Sequence, residues 1–267
     1  MFMKILLTND DGYSALGIQV LRETLLDFGH EVFIVAPFAE QSGMSHAVSF
    51  FKPLAVKQVS SDTWAVNGTP ADSAVVGLTG VLREKGIEPD FVISGINAGL
   101  NVADCVNYSG TVGAATEATF LGYKAIAVSM DNEWKDHPTV EELETGYKEV
   151  AETVGKLLPQ LKEDAWLERQ VLNINHPGKP SNGIKLAECN GFSFYTPKIT
   201  RLEGFAGFQK EMSYYIIGGD EREPPKSQYE DASIVSDGFT SICFITAKQS
   251  STEYNEKLEL IIDNLTD

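Results

Sequence analysis

Over the first 130 positions, short continuous apolar runs alternate with longer stretches of amphipathic spacing. Residues 3–8, 31–36, 90–94 and 124–130 are apolar over several consecutive positions, as strands buried on both faces of a parallel sheet are. Helices are expected between them. Residues 15–28 carry Leu16, Val20, Leu21, Leu25 and Phe28 on one face and are closed by Gly29. Residues 70–85 open on Thr69-Pro70 and end at Gly86, and a third helix begins near Thr111 and ends at Gly122. A threonine cap followed by proline, with glycine past the last turn, marks both ends of such a helix.

This alternation predicts an α/β fold, an open and mostly parallel sheet with helices on both faces. Residues 49–59 and 63–66 interleave Val, Phe and Trp with Lys, Gln and Ser and are expected to form an inserted hairpin. After Met130 the texture changes. A polar stretch at 131–138 leads to a long acidic amphipathic helix at 140–161 and a strand at 170–175. Residues 178–230 hold Gly218-Gly219, Pro224-Pro225 and aromatics with little period, which suggests an extended β arm or small subdomain. A returning strand at 240–246 and a closing helix at 253–265 complete the expected order. The chain thus divides into a core at 1–177 and a C-terminal part at 178–267.

Composition narrows the function classes. The 267 residues are 43% hydrophobic and contain no apolar run of about 18 residues, so a membrane span is not expected. The opening Met1-Phe2-Met3-Lys4 runs into Asn9-Asp10-Asp11 without a basic flank or a small-residue cleavage site, so a cytoplasmic protein is expected. Cys105, Cys189 and Cys243 are scattered and suggest neither a disulfide framework nor a C-x-x-C metal site. A formal charge of −17 would repel a nucleic-acid backbone, because such binding rests on Lys and Arg displacing counterions. A small anionic substrate is compatible with that field if a compact local charge offsets it, and a divalent cation supplies one.

Candidate chemistry gathers where the strands end. In open α/β sheets the loops after the carboxyl ends of the strands form the ligand crevice. Here the first strand is followed by Asn9-Asp10-Asp11-Gly12, the second by Pro37 and then Gln41-Ser42-Gly43-Met44-Ser45, and the third by Ser94-Gly95-Ile96-Asn97-Ala98-Gly99. Adjacent Asp10 and Asp11 read alone as a turn and helix cap. With Ser42 and Asn97 on the same edge they read instead as a seat for Mg²⁺ or Mn²⁺, since hard cations take oxygen ligands and two like charges repel unless a cation or proton lies between them. Tyr108-Ser109-Gly110-Thr111-Val112-Gly113-Ala114-Ala115 leads small residues and hydroxyls into a helix, whose first N–H groups bind anions; the lysine of a P-loop is missing. Gly68-Thr69-Pro70-Ala71-Asp72-Ser73 opens another helix and reads chiefly as a cap. His46 and His176 fall in no triad pattern, and no G-x-S-x-G elbow occurs.

Taken in order, 5–12, Val35-Ala36-Pro37, 42–45, Asn67 to Ser73, Ser94 to Asn101 and 108–115 resemble the SurE family of divalent-metal-dependent 5′/3′-nucleotidases. The likeness implies a Rossmann-like three-layer core and one divalent metal ion per subunit, held by Asp10, Asp11, Ser42 and Asn97. It implies hydrolysis of nucleoside monophosphates, with Asn9, Gly43, Ser109, Gly110 and Thr111 around the phosphate and Asn9, Asp10 and Asp11 as catalytic residues. Homodimers or homotetramers are implied too, through exchanged C-terminal elements. Glu230-Asp231 stands where the family commonly has Thr-Asp, and Ile245-Thr246-Ala247 replaces a Thr-Pro-Leu ending. The sequence leaves two nucleophiles open, a water or one of the aspartates. A nucleotide-binding regulatory module without turnover is the alternative function; a dinucleotide-dependent oxidoreductase is disfavoured because the first strand lacks G-x-G-x-x-G.

Overall fold

The computed structural model describes residues 2–132, 138–161, 166, 168–190, 195–202, 213–224 and 226–246; the helix expected at 253–265 lies outside them. Its first half runs β1 (Lys4–Thr8), α1 (Leu16–Asp27), β2 (Glu31–Pro37), β3 (Val56–Gln58), β4 (Thr63–Val66) and α2 (Pro70–Val75). A π-helical stretch at Val76–Val81 carries α2 into α3 (Leu82–Glu84), and β5 (Phe91–Ala98) follows. Next come a 3₁₀ turn at Ala103–Asn107, α4 (Gly110–Phe120), β6 (Ala125–Met130) and α5 (Val140–Leu157). The chain continues through β7 (Gln170–His176), β8 (Ile184–Leu186), β9 (Tyr195–Leu202), β10 (Tyr214–Glu221), α6 (Asp231–Ser236) and β11 (Thr240–Thr246).

Nine strands form one sheet in the order β3-β4-β2-β1-β5-β6-β7-β11-β8. From β4 to β7 every neighbour is parallel, while β3 and β11 each run antiparallel to the strand they follow in that order or precede, β4 and β7 respectively. Parallel strands need crossover helices, and these cover both faces. On one face Ile5, Leu7, Ile34, Ile93 and Val128 pack with Leu21 and Leu25 of α1 and Val150 and Val154 of α5. On the other, Leu6, Val35, Trp64 and Val92 pack with Leu78, Leu82, Val112 and Ala115. Alternate side chains of β1 thereby enter opposite layers, and the expected three-layer α/β core is present.

Helix boundaries follow the chemistry of their ends. Thr69 and Asp72 form a reciprocal capping box, with Asp72 N–H donating to Thr69 Oγ1 at 3.0 Å and Thr69 N–H to Asp72 Oδ2 at 2.9 Å. Thr139 and Glu142 repeat the device at the start of α5. The hairpin expected between 49 and 66 is built from β3 and β4, and β4, fully buried, continues the sheet against β2. Two strands from the C-terminal part, β8 and β11, also join this sheet, whereas among the described residues β9 and β10 pair only with each other.

β5 runs four residues beyond its expected end at Ser94, so Asn97 stands at the end of a strand and not in a free loop. Its register against β6 shifts between Ser94 and Asn97. Gly95 sits at that shift with φ +132°, where a Cβ would come within 2.2 Å of the Val128 carbonyl oxygen. An irregularity of this kind re-aims the side chains after it, here towards the crevice.

Candidate active site

At the end of β1 the chain must reverse into α1. Asn9 shapes that turn: its Oδ1 accepts the Gly12 N–H at 3.1 Å and its Nδ2 donates to the Gly12 carbonyl at 2.9 Å. Gly12, at φ +101°, takes the left-handed conformation the turn requires. Asp10 and Asp11 are thereby presented at the sheet edge, Asp10 buried and Asp11 half-buried. Asn9 is fully buried and spends its amide on the turn, with one Nδ2 hydrogen left over.

Thr111, in the first turn of α4, joins two of the expected ligands. Its hydroxyl reaches Asp10 Oδ1 and also lies 3.2 Å from Asn97 Oδ1. Asn97 is held from behind, since its Nδ2 donates to the Gly99 carbonyl at 2.8 Å, which turns Oδ1 towards Thr111. Asp11 Oδ2 accepts the Ala98 N–H at 3.3 Å, so β1 and β5 both deliver oxygens to one place. Ser109 caps α4 by accepting the Val112 N–H at 3.0 Å. Gly110 fits between Asp10 and Pro70 with no room to spare: a Cβ would lie 2.9 Å from Asp10 Cβ and from Pro70 Cγ. The helix therefore approaches Asp10 more closely than any larger residue would allow.

Burial dominates the electrostatics. It raises the Asp10 carboxyl above its ordinary value, against the lowering effects of the Thr111 hydroxyl and nearby backbone N–H groups. Asp11 is pushed up to about 6, first by burial and then by the charge of Asp10. The Tyr147 phenol of α5 is raised to about 12 by burial and by the charge of Asp11, which places this helix beside the same site. Two carboxylates that the fold makes costly to ionise together are ready for a cation. The donors are all oxygen, the ligand type that hard cations take, and no group of three or more His, Cys, Asp or Glu side chains that could hold a metal ion occurs among the described residues.

The loop after β2 stands beside this cluster. Gln41 N–H donates to the Asp10 carbonyl at 2.7 Å and Ser45 N–H to the Tyr108 carbonyl at 3.0 Å, so the loop bridges β1 and the approach to α4. Ser42 and Gly43 are exposed on it, and the Ser42 hydroxyl donates to Glu40 Oε1 at 2.9 Å. His46 pairs with Glu117 at 2.6 Å and His176 lies 3.6 Å from Glu149, so neither histidine enters the cluster.

Sequence reasoning missed the polar scaffold behind the site. The Asn101 carbonyl accepts from Asn173 at 2.9 Å and Asn175 at 3.1 Å, Asn101 N–H donates to Asn175 Oδ1 at 2.8 Å, and its side chain donates to Ser129 at 2.8 Å. Asn173 and Asn175 are fully buried, alternating with Leu172 and Ile174 in β7. Amides at alternate positions of a buried strand were the available signal, since such groups need internal partners.

The family described as Survival protein SurE matches residues 5–201. The chain belongs to the SurE family. A relative named 5′-nucleotidase SurE from Solidesulfovibrio magneticus is 43% identical over 191 residues, 70% of each chain. One of the same name from Brucella abortus is 39% identical over 183 residues, 68% of this chain and 69% of the relative. The crystal structure of the SurE protein from Aquifex aeolicus superposes with a TM-score of 0.79 at 29% identity, over 97% of this chain and 99% of that one. The SurE match spans the whole of the cluster described above, from β1 to the start of α4, and continues into β9.

Proposed function

We propose that the chain is a divalent-metal-dependent phosphomonoesterase that releases phosphate from nucleoside 5′- and 3′-monophosphates. The observation that carries this is the meeting of Asp10 Oδ1 and Asn97 Oδ1 on the Thr111 hydroxyl at the start of α4. Acidic oxygens and a helix N-terminus are the two groups that phosphate chemistry needs side by side. The name 5′-nucleotidase carried by relatives at 43% and 39% identity supports a nucleotide as the phosphate ester.

The donors fit one hard dication such as Mg²⁺ or Mn²⁺, which Asp10, Asp11 and Asn97 would hold, with Ser42 joining from the loop after β2. When bound, it supplies positive charge at the phosphoryl oxygens and acidifies a water. The protein's own groups orient the ester. Ser109 and Thr111 hydroxyls and the first amides of α4, that of Gly110 among them, take phosphate oxygens, and Gly43 and the remaining Asn9 hydrogen close the opposite side. Asp10 and Asp11 fix the line of attack.

The wider setting belongs to the same proposal. No helix among the described residues is long and apolar enough to cross a membrane, which suits a cytoplasmic enzyme acting on small molecules. The β9–β10 hairpin exposes Ile199, Tyr215, Ile216 and Ile217. Isolated two-stranded hairpins are marginal in water, so a homodimer or homotetramer that covers this one suits the chain.

Phosphate release from nucleoside monophosphates by chelator-treated protein, with and without added Mn²⁺, tests the function. Release that requires the ion and is lost in Asp10→Asn and Asp11→Asn is expected. Full activity of either variant would refute the site. Nucleotide binding without release would favour the regulatory module.

A further inference from the structure

We infer that His46 and Glu117 form a clasp that positions the Ser42-Gly43 tip of the loop after β2 for the cation and the phosphate; this rests on the phosphomonoesterase function proposed above. Both are positioning residues. They act through the backbone of the loop, and neither touches the reacting atoms.

The loop is fixed on either side of its tip. Upstream, Gln41 N–H donates to the Asp10 carbonyl at 2.7 Å. Downstream, Ser45 N–H donates to the Tyr108 carbonyl at 3.0 Å and the Ser45 hydroxyl to the Asn107 carbonyl at 2.6 Å. Ser42, Gly43 and Met44 are exposed between these anchors. Their course depends on two left-handed residues, Gly43 at φ +74° and Ser45 at φ +53°. Glycine takes that conformation freely, whereas serine holds it only where its surroundings impose it.

One stripe of α4 supplies those surroundings. Gly113, Glu117 and Phe120 follow one another at intervals of four and three residues, so they stack along a single face of the helix. Gly113 lets the loop lie directly on that face: a Cβ there would come within 3.0 Å of His46 Cα and closer still to the Ser45 carbonyl oxygen. One turn on, His46 Nε2 lies 2.6 Å from Glu117 Oε2, a short bond of the kind that carboxylates make with N–H donors. Nearly a turn further, the Phe120 ring packs on the imidazole with centroids 5.4 Å apart. The same helix starts at Gly110, against Asp10. The clasp therefore sets the Ser42 tip in one frame with Asp10 and with the amides that would take the phosphate.

Calorimetric Mn²⁺ titration of chelator-treated protein reads the clasp through Ser42. His46→Ala is expected to weaken binding about tenfold, the lower end of what groups that orient metal ligands contribute. His46→Gln, whose amide can still donate to Glu117, is expected to recover most of that loss, and Glu117→Ala to reproduce it. In a Ser42→Ala background the His46 substitution is expected to cost nothing more, because residues acting through one contact are not additive. A change below about twofold in both His46→Ala and Glu117→Ala, or an equal loss with and without the Ser42 hydroxyl, overturns the clasp and leaves the proposed function standing. Should His46→Ala fail to fold, Glu117→Ala carries the same comparison. If Ser42→Ala binds Mn²⁺ as tightly as the unaltered chain, the ligand role of Ser42 falls and the inference with it. If the unaltered chain releases no phosphate from nucleoside monophosphates, the phosphomonoesterase function falls first and takes the inference with it.

Discussion

Both carboxylate oxygens of Asp231 accept the backbone N–H of Ala103, at 3.2 and 3.1 Å. The contact fastens α6 to the turn that precedes α4, and Ala103 enters that turn at φ +50°. Tyr108, at the far end of the turn, accepts from Ser45, so a residue of the C-terminal part braces the loops on either side of the candidate site. Asp231→Ala leaves the N–H groups of Ala103 and Ala232 without that acceptor. Each buried donor so stranded costs about 1–3 kcal/mol. The urea midpoint is expected to fall together with kcat, and Asp231→Asn, which keeps one acceptor oxygen, to recover much of both. Unchanged urea midpoint and kcat in the alanine variant would show that the brace is idle.

Under the proposed function, metal and proton compete for the same aspartates. Asp11, lifted to about 6 by burial and by Asp10, has a folded value above its ordinary one of 3.8. In the metal-free chain its stabilising contribution is therefore complete below about 3.8 and is lost as pH rises through about 6. A dication relieves that loss. The rise in melting temperature on adding Mn²⁺ is expected to be larger near pH 7.5 than near pH 4.5, and to depend less on pH in Asp11→Asn, where only Asp10 still exchanges a proton for the ion. Equal shifts at both pH values in the unaltered chain would contradict this.

Gly110→Ala tests how closely α4 must approach Asp10. The added carbon meets Asp10 Cβ and Pro70 Cγ at 2.9 Å, so the helix start or the β1 turn must move. Overpacking of this kind costs about 1–3 kcal/mol. A displacement approaching 1 Å in a catalytic constellation lowers turnover about 100-fold. Steady-state kinetics beside a thermal melt should show the larger damage in kcat/KM.

Thr111→Val removes the hydroxyl that lies between Asp10 and Asn97 and keeps a β-branched side chain. Groups that orient metal ligands are worth about 10–100-fold in affinity. Mn²⁺ titration by calorimetry is expected to show weakening in that range, with Thr111→Ser close to the unaltered chain. Identical affinity in the valine variant would remove Thr111 from the site.

Much of the fold was legible because β1, β2 and β6 are buried on both faces and so are apolar over most of their length, while glycine, proline and threonine mark the helix ends. The length of β5 was not, because its last residues, Gly95 to Ala98, include a glycine and an asparagine that look like loop yet pair with β6. Within the site, Asp10, Asp11 and Asn97 could be placed on one edge from the order of the strands alone. The side-chain work of Asn9 and Ser42 could not. Whether an amide serves its own turn or a ligand, and whether a serine faces Asp10 or Glu40, depends on local backbone angles that residue spacing does not encode. Asp231 was hidden for another reason: its partner Ala103 lies 128 positions away and offers only a backbone N–H.

The borders of the sheet bear on how this protein behaves when crowded. Among the described residues each is a strand of three, β3 at one side and β8 at the other, and each carries a lysine at its centre, Lys57 and Lys185. So short a margin offers few unpaired backbone groups for a foreign strand to template upon, and a charged centre penalises the attempt. Seven longer or better-covered strands are thus kept from fusing edge to edge with those of a neighbouring molecule, and any ordered assembly has to be built from other surfaces.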